Sequence, residues 1–135
     1  MNAAPLSIER VTFERARMVL LVRVPEGPAA CLGDAAAARL LQARPTLAAH
    51  TCLNAEGAPF STILARTSLP HVLEHLVIDF QVQDPGSSDA ATYVGTTEWL
   101  SEREGLARVA VNFSDDLIAL GALKAALALL EGMVE

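Results

Sequence analysis

The apolar and polar positions divide the chain into short two-fold stretches and longer helical ones. Ser7 to Phe13 and Met18 to Val24 read as two strands. The second contains the near-continuous apolar run Met18-Val19-Leu20-Leu21-Val22, which suits a strand covered on both faces. Glu14-Arg15-Ala16-Arg17 is the polar connection between them. Pro25-Glu26-Gly27-Pro28 is a stop signal, after which Asp34 can cap a helix through Leu41. Pro45 breaks that helix, and Thr46 to His50 continues as a short helical segment. A turn at Asn54-Ala55-Glu56-Gly57 and a short helix at Phe60 to Leu64 follow.

The next segment has a clear helical start, with Thr67 or Ser68 as N-cap and Pro70 in the first turn, where its missing amide hydrogen costs nothing. A helix is predicted from Leu69 to Gln83, held against a sheet by Leu73, Leu76, Val77 and Phe80. Asp84 to Asp89 reads as a loop. Tyr93 to Trp99 and Leu106 to Phe113 read as strands around the charged turn 101–105. Ser114 caps a last helix reaching Met133, with Asp115 and Asp116 in its first turn. That helix is apolar nearly all round, so one side is either deep core or a homo-oligomer contact. The fold class is therefore α/β (α+β): a single domain with a roughly four-stranded sheet packed against about three main helices.

Composition narrows the function. With 135 residues, 52% apolar and 19% charged, the chain can bury one real core. A net charge of -6 disfavours non-specific nucleic-acid binding and leaves basic or neutral partners more plausible; a peptide or small-molecule substrate is the partner expected. Cys31 and Cys52 are too few for a disulfide framework and fit a reducing compartment. The start of the chain has no signal-peptide pattern, and the apolar stretch Leu117 to Leu130 is too short to cross a bilayer and is interrupted by Lys124. A cytoplasmic, soluble protein without membrane contact is expected.

The chemistry concentrates in His71-Val72-Leu73-Glu74-His75. At about 3.6 residues per turn, His71 and His75 return to one helix face with Glu74 beside them. His-x-x-Glu-His is the inverted order of the common zinc-peptidase helix. Two neutral imidazoles can hold zinc, while Glu74 takes a proton from water as general base. The plain reading is a solvated helix face on which Glu74 pairs with one histidine. A third ligand is needed. Glu98, inside a predicted strand, is the first choice, ahead of Glu102 and Glu104 in a solvated turn, and His50 is the next candidate. His50 and Cys52 also allow a Cys/His nucleophile pair, against a reading of Cys52 as a buried apolar group and His50 as a helix-end residue. Cys31 reads as core. No Gly-rich phosphate loop is present.

Three segments carry a family resemblance. They are Arg44-Pro45-Thr46-Leu47-Ala48-Ala49-His50-Thr51-Cys52, the helix Leu69 to Gln81 with its His-x-x-Glu-His, and the strand Arg108 to Phe113 with the helix after it. Their order resembles the N-terminal domain of cyanophycin synthetase. The resemblance implies a compact α/β domain of the machinery that polymerises aspartate and arginine. It does not imply synthetase activity, because the ATP-using ligase domains are missing from these residues. In some members the domain looks like a metallopeptidase that cuts the polymer into primers, working through the positions of His71, Glu74 and His75. Two differences stand out: Asn112 occupies a strand position where the family tends to have Glu, and segment 95–100 lacks the family's arginine. Two functions follow as expectations. One is a zinc-dependent hydrolase of peptide or isopeptide bonds, possible on cyanophycin-like or arginine-containing peptides; the other is a non-catalytic binding or assembly module on the same scaffold.

Overall fold

A computed structural model describes residues 4–50, 59–87 and 92–133. Four antiparallel strands, β1 (Ser7–Glu14), β2 (Arg17–Arg23), β3 (Gly95–Ser101) and β4 (Leu106–Asn112), form one sheet in the order β1-β2-β4-β3. The helices are α1 (Asp34–Ala43), the short α2 (Phe60–Ile63), α3 (Leu69–Gln83) and α4 (Asp116–Met133), with single 3-10 turns between some of them. This is an α+β fold, as the pattern predicts.

The β1–β2 hairpin closes through Arg15 and Ala16, with Arg15 in the left-handed region at φ 36°. On β2, Met18, Leu20 and Val22 are fully buried while Val19 and Leu21 are only half-buried. The apolar run had predicted cover on both faces, but burial alternates, so one face alone carries the core. On that face, α3 packs across β3 and β4 and lies against α4.

Helix α3 is buried around most of its circumference, with Val72, Leu73, Leu76 and Val77 at 0% exposure. This fits a helix wedged between a sheet and a second helix. Ser68 is its N-cap and its carbonyl accepts from the Val72 amide at 3.0 Å, yet its side chain makes no capping bond. Two other predicted caps move by one residue. Gly33, at φ 86°, precedes α1, leaving Asp34 as an acidic first-turn residue. At α4 the cap is Asp115, whose Oδ1 accepts from the Leu117 and Ile118 amides at 2.9 and 3.0 Å, while Ser114 contacts Tyr93 instead. Ala119, Ala122, Leu123, Ala126 and Leu130 turn α4 into the core, and Leu117 stands exposed. No helix of the described residues is long and apolar enough to cross a membrane.

The turn between β3 and β4 depends on Gly105. Its φ is +68°, its amide donates to the Glu102 carbonyl at 3.2 Å, and its carbonyl accepts from the Val24 amide at 2.7 Å. A Cβ there would lie 2.0 Å from the Val24 carbonyl oxygen.

Candidate metal centre

His71, Glu74 and His75 project from the first two turns of α3 into a cleft of about 860 Å³ whose opposite wall is β3 and the residues before it. One ligand atom from each can be chosen so that all three lie within 4.8 Å of one another. The helical spacing predicted this convergence. Further along the cleft, Ile78 and Val82 of α3 face a wall that includes Val94 and Trp99.

Glu74 is buried at 6% exposure. The Thr97 hydroxyl donates to its Oε1 at 2.7 Å, leaving Oε2 3.9 Å from the Nε2 of His75. Burial pushes the Glu74 carboxyl above its ordinary value, and the Thr97 hydrogen bond only partly offsets this. The approach between helix and strand requires Gly95, because a Cβ there would sit 2.6 Å from Glu74 Cγ. Asn112, the departure noted on β4, pins the chain leading to that glycine. Its Oδ1 accepts from the Val94 amide at 2.7 Å and its Nδ2 donates to the Thr92 carbonyl at 2.8 Å.

The ring of His75 is stacked on Phe60 of α2, with centroids 3.7 Å apart and planes 17° from parallel. Its Nδ1 lies 3.0 Å from the Nδ1 of His50. Its Nε2 is buried and has no hydrogen-bond partner among the described residues. Burial first, then the neighbouring His71 and His50, pushes the imidazole down to about 3, so His75 is neutral at neutral pH. Behind His50 stands Asp79, 1% exposed, whose Oδ1 is 3.2 Å from His50 Nε2. Asp79 Oδ2 accepts from the Arg44 Nε at 2.8 Å and the Thr46 hydroxyl at 2.9 Å. Burial alone would raise the Asp79 carboxyl; the bonds from His50, Thr46 and Arg44 together outweigh it and hold it low.

These shifts give an expected pH dependence for the metal-free chain. An unfolded His75 titrates near 6.5 and the folded one near 3, so the folded state binds fewer protons between these values. The stabilisation is fully present above pH 6.5 and is lost as the pH falls toward 3. Asp79 adds a loss of the same sign through the carboxylate range, while the raised Glu74 acts in the opposite sense, losing stability as the pH rises from about its ordinary value of 4.5. In chelator, the thermal midpoint should fall on acidification from 7 to 5, and His75→Gln should flatten that slope. A slope unchanged by His75→Gln would refute the assignment.

The other sequence candidates are placed differently. Glu98 does not join the cluster: it is on β3, paired across the strands with Arg108 at 3.7 Å, and its side chain is 60% exposed. The strand pleat sends Thr97 toward Glu74 and therefore Glu98 to the opposite face. His50 does reach the motif helix, but Nδ1 meets His75 and Nε2 meets Asp79, so both ring nitrogens are engaged. Cys52 and the turn 54–57 lie outside the described residues. Cys31, expected in the core, is exposed. Among the described residues, no further His, Cys, Asp or Glu completes the group. The sequence reading missed Asp79, Thr97 and Phe60. Only Asp79 had a sequence signal, since positions 71, 75 and 79 are successive steps of four on one helix.

No curated protein gives a significant match to the chain. A family model, the cyanophycin synthase-like N-terminal domain, matches residues 34–135. The match begins at α1 and takes in α2, α3 with its cluster, both strands of the cleft-side hairpin, and α4. This chain belongs to the cyanophycin synthase-like N-terminal domain family.

Proposed function

We propose that the chain is a zinc-dependent hydrolase of peptide or isopeptide bonds, acting on cyanophycin-like or other arginine-containing peptides. The observation that carries this reading is the buried Nε2 of His75, without a hydrogen-bond partner among the described residues, grouped with His71 and Glu74 at the wall of an open cleft. Two neutral imidazoles suit zinc, and the carboxylate beside them suits a base for its water. Zinc held there would act as a Lewis acid and acidify a water.

His71 and His75 hold the ion in this reading, and the Phe60 stack fixes the plane of the second ring. Glu74 keeps Oε1 on Thr97 and uses Oε2 to take a proton and later return it to the departing amine. The cleft is lined by α3 from His71 to Gln83, which offers a substrate a wall beyond the three clustered residues. Family membership supports a connection with cyanophycin metabolism and is the source of the substrate class.

Protein purified without a histidine tag should contain about one zinc per chain. His71→Ala and His75→Ala should lose that zinc, and the loaded parent should cleave an arginine-containing dipeptide of the cyanophycin type. A fully folded, metal-free parent that binds no added zinc at neutral pH would leave the binding or assembly module as the better reading.

A further inference from the structure

Both nitrogens of His50 are committed, and the pattern of partners fixes where the protons lie. Asp79 accepts at Oδ2 from Arg44 and Thr46, so its carboxylate is turned with Oδ1 toward His50 Nε2. A carboxylate has only acceptors to offer, so His50 Nε2 carries a hydrogen. The 3.0 Å contact between His50 Nδ1 and His75 Nδ1 needs one proton between the two nitrogens. Whenever His50 carries a single proton, and that proton is at Nε2, the one in this contact is on His75 Nδ1. Neutral His75 is then bare at Nε2, the atom 3.9 Å from Glu74 Oε2. The reverse arrangement would bury an N–H at that point with no acceptor within hydrogen-bond distance, Glu74 Oε2 lying 3.9 Å away.

We propose that Asp79 and His50 are positioning residues that lock His75 in its Nδ1–H tautomer, so that the Nε2 lone pair faces the cleft ready for a metal ion. The use of this lone pair rests on the hydrolase reading, but the proton placement does not. His50 is thus one step behind the ligands rather than one of them, in line with the outer partners that orient metal-binding imidazoles.

Asp79→Asn tests the relay with almost no change in shape. Arg44 and Thr46 keep the amide oxygen on their side, which turns the NH2 toward His50 Nε2. That nitrogen becomes an acceptor, the His50 hydrogen moves to Nδ1, and His75 is forced to carry its own at Nε2. Long-range proton–nitrogen NMR of 15N-labelled, chelator-treated parent at pH 8 should show His75 protonated at Nδ1. In folded Asp79→Asn it should show the proton at Nε2, with zinc affinity about 10–100-fold lower. A purely structural Asp79 would lower stability without moving the tautomer. An Nε2–H signal in the parent, or an unmoved tautomer in the variant, overturns the relay. The parent spectrum alone decides if Asp79→Asn does not fold. Failure of the parent to bind zinc would sink the hydrolase reading while the spectrum still judged the relay.

Discussion

On the proposed hydrolase reading, Glu74→Gln should bind zinc as the parent does and lose hydrolysis by about 10²–10⁴-fold, the usual contribution of a positioned general base. The amide has nearly the same shape, and its oxygen can still accept the Thr97 hydroxyl that now bonds Oε1. What it cannot do is take a proton. The comparison therefore separates two roles that the geometry brings close together, since Glu74 Oε2 lies 3.9 Å from His75 Nε2. Metal content and turnover have to be read on the same preparation. If turnover survives, Glu74 is not the base; if the zinc disappears with it, Glu74 is a ligand and the two histidines are not sufficient.

Gly105→Ala should be the most damaging small substitution in the scaffold, at about 3 kcal/mol, or a fall of about 10 °C in the thermal midpoint. Two costs add. The φ of +68° disfavours any side chain, and the new Cβ would meet the Val24 carbonyl oxygen at 2.0 Å. Moving that carbonyl also strains the Val24 amide bond to Gly105, which ties the end of β2 to the β3–β4 turn. Gly121→Ala is the control, because it is an exposed helix position with nothing within 4 Å of the added carbon. There the substitution should stabilise by about 1 kcal/mol, as alanine is the better helix former. Equal melting of both variants and the parent would show that the Gly105 turn relaxes at no cost.

The helical parts of the fold were legible because their signals are local. Leu69 to Gln83 follows from a cap, a proline and an apolar period, and the structure ends α3 at those residues. The cap of α4 was missed by one position because Ser114 and Asp115 are equally good acceptors in isolation; what separates them is Tyr93, far away in sequence, which engages the serine. The candidate site shows the same division. Its histidines and Glu74 come from a single helix and could be placed by counting residues. Apart from Asp79 on the same helix, its supports are Thr97 of β3, Phe60 of α2 and His50, and their positions depend on the fold of the whole chain. Glu98 is the clearest case. The strand was right and the distance along it was right, but a pleat distinguishes neighbours, and the inward place belongs to Thr97.

The lack of a side chain at Gly95 has a consequence for how this sequence can change. Glu74 occupies the space that any side chain at 95 would need, with Cγ 2.6 Å from the missing Cβ. The two positions are 21 residues apart yet share one volume, so bulk added at 95 must be removed at 74. In evolutionary terms they form a coupled pair: this placement of the Glu74 carboxylate needs glycine opposite it, and a side chain at 95 would displace the carboxylate while leaving both imidazoles in place.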